Sequence, residues 1–214
     1  MAIKMSQFVS DNGFSVLVNF PSKIRGVGTD SHSGYVLEKK MKERTTVLEY
    51  LKRMTLCSEE RISKCLQLVK LKTSLLTVSL EYLTSSEIKK VQLAHALLVQ
   101  SRVIVLEYFF EDLIYVEREY FKRFFRNLMY KQHISIILIE NDMNFVCETV
   151  QRFYLFTTKG KYKLITDFYD DEIYKYVKMP HTVEVIKYFE KCGHQVDHEI
   201  TFAETLKAIY RSVS

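Results

Sequence analysis

Wrapping a triphosphate takes a recognisable loop, G-x-x-x-x-G-K-S/T. Its glycines let backbone N–H groups close on the phosphates, its lysine neutralises them and its hydroxyl holds Mg²⁺. Of the six glycines in this chain only Gly160 is followed by lysine, and Tyr162 stands where the hydroxyl belongs. Other chemistries leave fainter traces. Cys192, His194 and His198 lie within seven residues, but a zinc site needs three or four ligands, and the segment reads as a partly exposed strand. No G-x-S-x-G is present, so the nucleophile-elbow form of hydrolase has no footing. Tyr and Phe recur at core spacing along helical segments, which makes them packing residues rather than a base-stacking platform.

These residues need elements to hold them. The chain has 214 residues, 47% of them hydrophobic, enough for one sizeable domain or a domain with a small appendage. Lys and Arg number 31 against 26 acids, a spread-out excess of +5 that does not call for nucleic acid. The mixed charge run from Glu38 to Arg44 reads as a solvated helix face. Four cysteines without a framework, Cys57, Cys65, Cys147 and Cys192, point to a reducing compartment. No apolar run approaches the ~20 residues that span a bilayer, and the first residues carry no signal-peptide pattern.

Residues 14–20 read as a strand, and 21–34, holding Pro21, Gly26, Gly28 and Gly34, as loop. Helices are expected over 45–54 and 58–71, the second capped by Ser58, and over a longer stretch capped by Thr84, Ser85 or Ser86 and ending near Gln100. Residues 103–106 and 134–139 are solidly apolar, as parallel strands covered on both faces must be. Between them Leu113, Val116, Tyr120, Phe121, Phe124, Phe125 and Leu128 form one helical stripe. A helix near 143–150 and strands near 152–157 and 161–166 follow, then helix 182–191, strand 195–201 and helix 203–211. Strand and helix alternate from 103 to 157, which gives an α/β core.

In this order and at these spacings the chain resembles the nucleotide-binding domain of ATP-binding-cassette (ABC) transporters over roughly residues 30–165. The family's signature L-S-G-G-Q falls on Leu83, Thr84, Ser85, Ser86 and Glu87, and the helix after it on 91–98. Its Walker B strand and D-E pair fall on 103–106, Glu107 and Tyr108. Its switch histidine falls on Asn141, its Q-loop glutamine on Glu38, its D-loop aspartate on Ile114, and its first subdomain helix on 46–51. The resemblance implies a mostly parallel sheet with a helical subdomain at about 45–101 and an N-terminally truncated P-loop region. Residues 8–20 then stand for the strands that follow the P-loop, or for a replacement segment. Residues 1–180 would form this domain and 181–214 a small appendage.

Every position that does chemistry in the family is altered. Glu107 keeps an acid with one methylene too many for the metal position, or is simply a strand-end carboxylate on the surface. Tyr108, a phenol with a pKa near ~10, is a poor base at neutral pH. Ser85 and Ser86 put side chains where phosphate approaches glycine. Asn141 cannot carry a proton, and Glu38 would repel a γ-phosphate. His95 is read as a surface or packing residue. The resemblance therefore implies a degenerate, non-hydrolysing accessory subunit on a transporter permease, cytoplasmic and at the membrane only through a partner. No cofactor is expected, with weak ATP and Mg²⁺ binding only beside a partner. A heterodimer in which Thr84–Glu87 completes the site of a P-loop-bearing ABC ATPase, a homodimer, and a soluble regulatory or immunity module remain open. The stripes Val47, Leu51, Met54 and Ile62, Leu66, Val69 are either packing faces or a docking patch.

Overall fold

The computed structural model describes Phe8 and residues 14–21, 33–36, 44–157 and 161–213. Its strands are β1 (Phe14–Val18), β2 (Ser33–Val36), β3 (Val103–Glu107), β4 (Ser135–Ile139), β5 (Phe153–Phe156) and β6 (Tyr162–Ile165). Its helices are α1 (Val47–Thr55), α2 (Glu59–Leu68), α3 (Ser85–Leu98), α4 (Tyr115–Gln132), α5 (Met143–Thr149), α6 (His181–Lys191) and α7 (Phe202–Val213). The strands form one sheet in the order β2-β3-β4-β1-β5-β6. Pairing is parallel between β2 and β3, from Ser33 opposite Val103 to Val36 opposite Leu106. The Ser135 N–H donates to the Arg102 carbonyl at 2.8 Å, so β3 and β4 start at the same end and also run parallel. Between β1 and β5 the pairing is parallel, and β6 closes the order antiparallel to β5. This is the expected α/β class.

Two compact units make up the chain, Met1–Ser15 with Ile24–Leu138, and Val16–Lys23 with Ile139–Ser214. In the first, α1 starts at a capping box between Thr46 and Glu49, and Ser58 caps α2 as expected. Helix α3 buries residues on every side, among them Ile88, Val91, Leu93, Ala94, Ala96 and Leu98. A helix buried on every side belongs between neighbours, and α3 packs with α1, α2 and β2. Five of the six stripe residues on α1 and after it, Val47, Leu51, Ile62, Leu66 and Val69, are fully buried. Packing therefore accounts for those faces, and only Met54 is left at 47% exposure.

Aromatic rings fill the space under α4. Phe109 meets Phe121 edge-on at 4.9 Å and Phe125 at 5.5 Å. The expected stripe on this helix is too wide. Val116 is 71% exposed, because five residues before Phe121 it lies about 140° round the helix from it. Ser33–Val36 correct the loop expected over 21–34: they form a strand.

In the second unit Asp142 caps α5 through the N–H groups of Asn144 and Phe145. Helices α6 and α7 share a core of Ile186, Val196 and Ala208 with Tyr169, Phe189 and Ile209 against it. Gly193, at φ +91°, ends the first of them. The strand expected over 195–201 is absent, and the segment is irregular. Its polar groups find side chains instead of a ladder: the Glu199 carbonyl accepts from the Tyr169 hydroxyl at 2.6 Å and the Thr205 hydroxyl at 3.4 Å. Val196 turns into the helical core while Asp197 approaches Arg211.

Candidate functional site

Strand β3 delivers Glu107 at its last position. The residue is 5% exposed, so it is a buried carboxylate and not the surface one that a strand end suggests. Tyr108 follows at φ +48°, a left-handed backbone that costs a non-glycine residue about 1 kcal/mol. This reverses the chain into a tight turn, with the Glu111 N–H on the Tyr108 carbonyl at 3.3 Å and the Leu113 N–H on the Phe110 carbonyl at 3.2 Å. Arg118 donates to the carbonyls of Leu113 and Glu111 from one turn into α4. Ile114, at the start of that helix, offers no side-chain cap.

Opposite the turn stands Lys89, which the sequence reading passed over. Its side chain is 2% exposed, and its Nζ donates to the Tyr108 carbonyl at 2.6 Å and to Asp112 Oδ2 at 3.0 Å. Next to it Lys90, also buried, meets Glu117 at 2.6 Å. A usable signal existed: two lysines sit within a helix among Ile88, Val91, Leu93 and Ala94, so their ammonium groups must find acids inside the fold.

Helix α3 links this turn to the signature-like segment, whose Leu83 is buried. Thr84 is the N-cap. Its hydroxyl accepts the Glu87 N–H at 3.2 Å, and Glu87 Oε2 accepts the Thr84 N–H at 2.9 Å and its hydroxyl at 2.9 Å. The pair is closed on itself, so the helix dipole already faces a carboxylate. Ser85 is exposed and Ser86 half-buried, and neither is the cap. His95 is half-buried, with its pKa lowered by desolvation, and its ring lies 6.1 Å from that of Tyr50. Glu38 lies outside the described residues.

In the second unit Asn141 acts as a brace. Its side-chain oxygen accepts the Asn19 N–H at 2.8 Å, and Asn19 Nδ2 donates to the Phe156 carbonyl at 2.8 Å. Glu140, 4% exposed, accepts the N–H groups of Asn141 at 2.8 Å and Asp142 at 3.2 Å.

The histidines near the end are structural in their contacts. His198 stacks on Tyr169 at 3.9 Å and 12° and reaches Glu190 at 2.8 Å. They border an open depression of about 450 Å³ with Asp171, Lys187 and Lys191. Lys187 there holds the Tyr169 carbonyl and Asp171. Burial pushes the Cys65 thiol up to about 11 and Cys147 to about 12, away from nucleophilic range. Among the described residues no group of three or more His, Cys, Asp or Glu could hold a metal ion, and no helix is long and apolar enough to cross a membrane.

No protein-family model and no curated protein matches the sequence. Solved structures do match the fold. CbiO1 from Clostridium perfringens, part of the ABC transporter complex CbiONQ, superposes with a TM-score of 0.56 at 12% identity, covering 86% of this chain and 87% of that one. The ATP-binding cassette MJ0796, a dimer in a post-hydrolysis state bound to ADP and Pi, gives 0.56 at 14% identity over 69% and 82%. A transporter assigned to the metal-chelate ABC type, in an inward-facing conformation, gives 0.57 at 12% identity over 72% of each chain. The chain has the fold of an ABC transporter ATPase domain.

Proposed function

We propose that this chain is a non-hydrolysing subunit that docks on the permease of an ABC transporter. The observation that carries the reading is the closed state of its chemical positions. The N-terminus of α3 is filled by the Thr84–Glu87 box, and the end of β3 presents a buried carboxylate followed by a phenol in a left-handed turn. Mg-ATP does not fit this donor set. Glu87 places negative charge where a phosphate would approach, and Tyr108 supplies neither a base nor a metal ligand at neutral pH. The 214 residues hold no phosphate-wrapping loop. With a hydrolytic role disfavoured, a partner gives the chain its role, and CbiO1 is itself part of a transporter complex.

The docking surface we assign is the end of α1, where Met54 is 47% and Leu56 92% exposed, the latter held outward at φ +54°. The same closed box at Thr84 argues against the heterodimer in which this segment completes another subunit's ATP site.

Two measurements test the reading. The purified chain should show no steady ATP hydrolysis; turnover that survives rigorous purification overturns it. Tagged protein recovered from solubilised membranes should bring down an integral membrane protein, and Leu56→Glu, folded by circular dichroism, should lose it. Recovery of a soluble partner alone would favour the regulatory module, and recovery of an intact ATPase alone the heterodimer.

A further inference from the structure

The turn after β3 raises a question that the lack of hydrolysis leaves open: what holds a sharply bent, acid-bearing segment in place at the position where the fold's ATPases carry a metal-binding edge? We infer that Lys89 is a built-in cation that fixes the turn of residues 108–113 in a single conformation, independent of any divalent metal. The inference rests on reading the end of β3 as the counterpart of that edge.

Three observations converge on it. The ammonium is almost fully enclosed, and both of its contacts are to this one turn, the Tyr108 carbonyl at 2.6 Å and Asp112 at 3.0 Å. The carbonyl it holds belongs to the residue in the left-handed conformation, the point where the chain would relax if released. The preceding residue, Glu107, is buried, so the turn leaves the strand from an enclosed position. A lysine on a packed helix cannot dissociate from the turn. The turn is therefore permanently in one state, and a surface that it supports would be presented to a partner without a nucleotide cycle.

The contacts also predict an asymmetry. Asp112 is 40% exposed and can rehydrate when Lys89 is removed. Lys89 has no such recourse when Asp112 is removed, and a buried charge stripped of its partner is strongly destabilising.

Amide hydrogen exchange across residues 107–114 tests the latch, with exchange in β4 as the internal measure of global stability. In the unaltered chain, 5 mM MnCl₂ or MgCl₂ should leave exchange in the turn unchanged relative to NaCl of equal ionic strength. In Lys89→Met the turn should exchange at least tenfold faster while β4 changes less, and Asp112→Asn should lower Tm further than Lys89→Met does. Protection of the turn by either metal in the unaltered chain overturns the inference. So does a Lys89→Met turn that exchanges at the original rate. If Lys89→Met does not fold, Asp112→Asn decides: faster exchange in its turn supports the latch and unchanged exchange overturns it. ATP turnover or a failed membrane pull-down would sink the functional reading and leave the latch standing, whereas metal protection of the turn would sink the latch alone.

Discussion

Two strands of this sheet end in the same way and are finished differently. Both β3 and β4 are apolar runs that close on a buried glutamate, Glu107 at 5% and Glu140 at 4% exposure. After β4 the carboxylate turns back on its own chain and accepts the next two N–H groups, of Asn141 and Asp142. After β3 the turn is held by a lysine 19 residues earlier in sequence. The first solution is local and tolerant, since any side-chain acceptor at that position can serve. The second is remote and strict, because it depends on a particular ammonium reaching a particular carbonyl.

If that contrast is right, the two ends should respond differently to removal of charge. Asp112→Asn leaves the Lys89 ammonium its carbonyl acceptors but no counter-charge and should cost about 2–3 kcal/mol, a fall in Tm of roughly 4–12 °C; the half-exposed carboxylate keeps this below the range for a fully buried pair. Glu140→Gln keeps an acceptor for the backbone and should cost no more than about 1–1.5 kcal/mol by urea denaturation. Equal losses would break the comparison. Asn141→Ala, which removes the brace to Asn19, should cost about 1 kcal/mol and open the turn after β1, read by exchange of the Asn19 amide. A loss confined to α5 would show that the brace serves the helix instead.

The smallest effect sharpens the same point, because the box at the start of α1 is again local. Glu49 has its pKa lowered, chiefly by the Thr46 backbone N–H and then by the Thr46 hydroxyl. A depressed folded value means that its contribution is complete above the ordinary carboxylate value of 4.5 and is lost as pH falls through the folded one. The Tm difference between the unaltered chain and Glu49→Gln should therefore be present at pH 6 and shrink on acidification below about 4.5. A difference that grew on acidification would mean that the carboxylate is not the stabilising form.

Legibility in the sequence followed the same divide between local and remote. Strands β3 and β4, Ser58 as a cap and Thr84 among the candidate caps could be read directly, since each depends on residues within a turn or a run of one another. The apolar stripes on α1 and α2 were visible too, but not what covers them. Residues 33–36 were missed because a four-residue segment containing a glycine has too little period to register, and its pairing with β3 is what makes it a strand. The segment 195–201 alternates like a strand, yet Tyr169, Thr205, Glu190 and Arg211 take up its polar groups one by one. Lys89 escaped for the reason that makes it informative: its partners lie 19 and 23 residues away.

The antiparallel β6 has a bearing on how the chain behaves while crowded with other copies of itself. It is the last strand in the sheet order, only four residues long, and Tyr162 and Leu164 stand 44% and 42% exposed on it. Such an edge invites an incoming strand from another molecule to extend the sheet. Lys163 sits at its centre, opposite Leu155 in the register and 3.5 Å from Asp170. Any strand that added there would have to strip water from that ammonium, and it would gain at most four residues of pairing in return. The exposed border thus resists aggregation through its brevity and one charge.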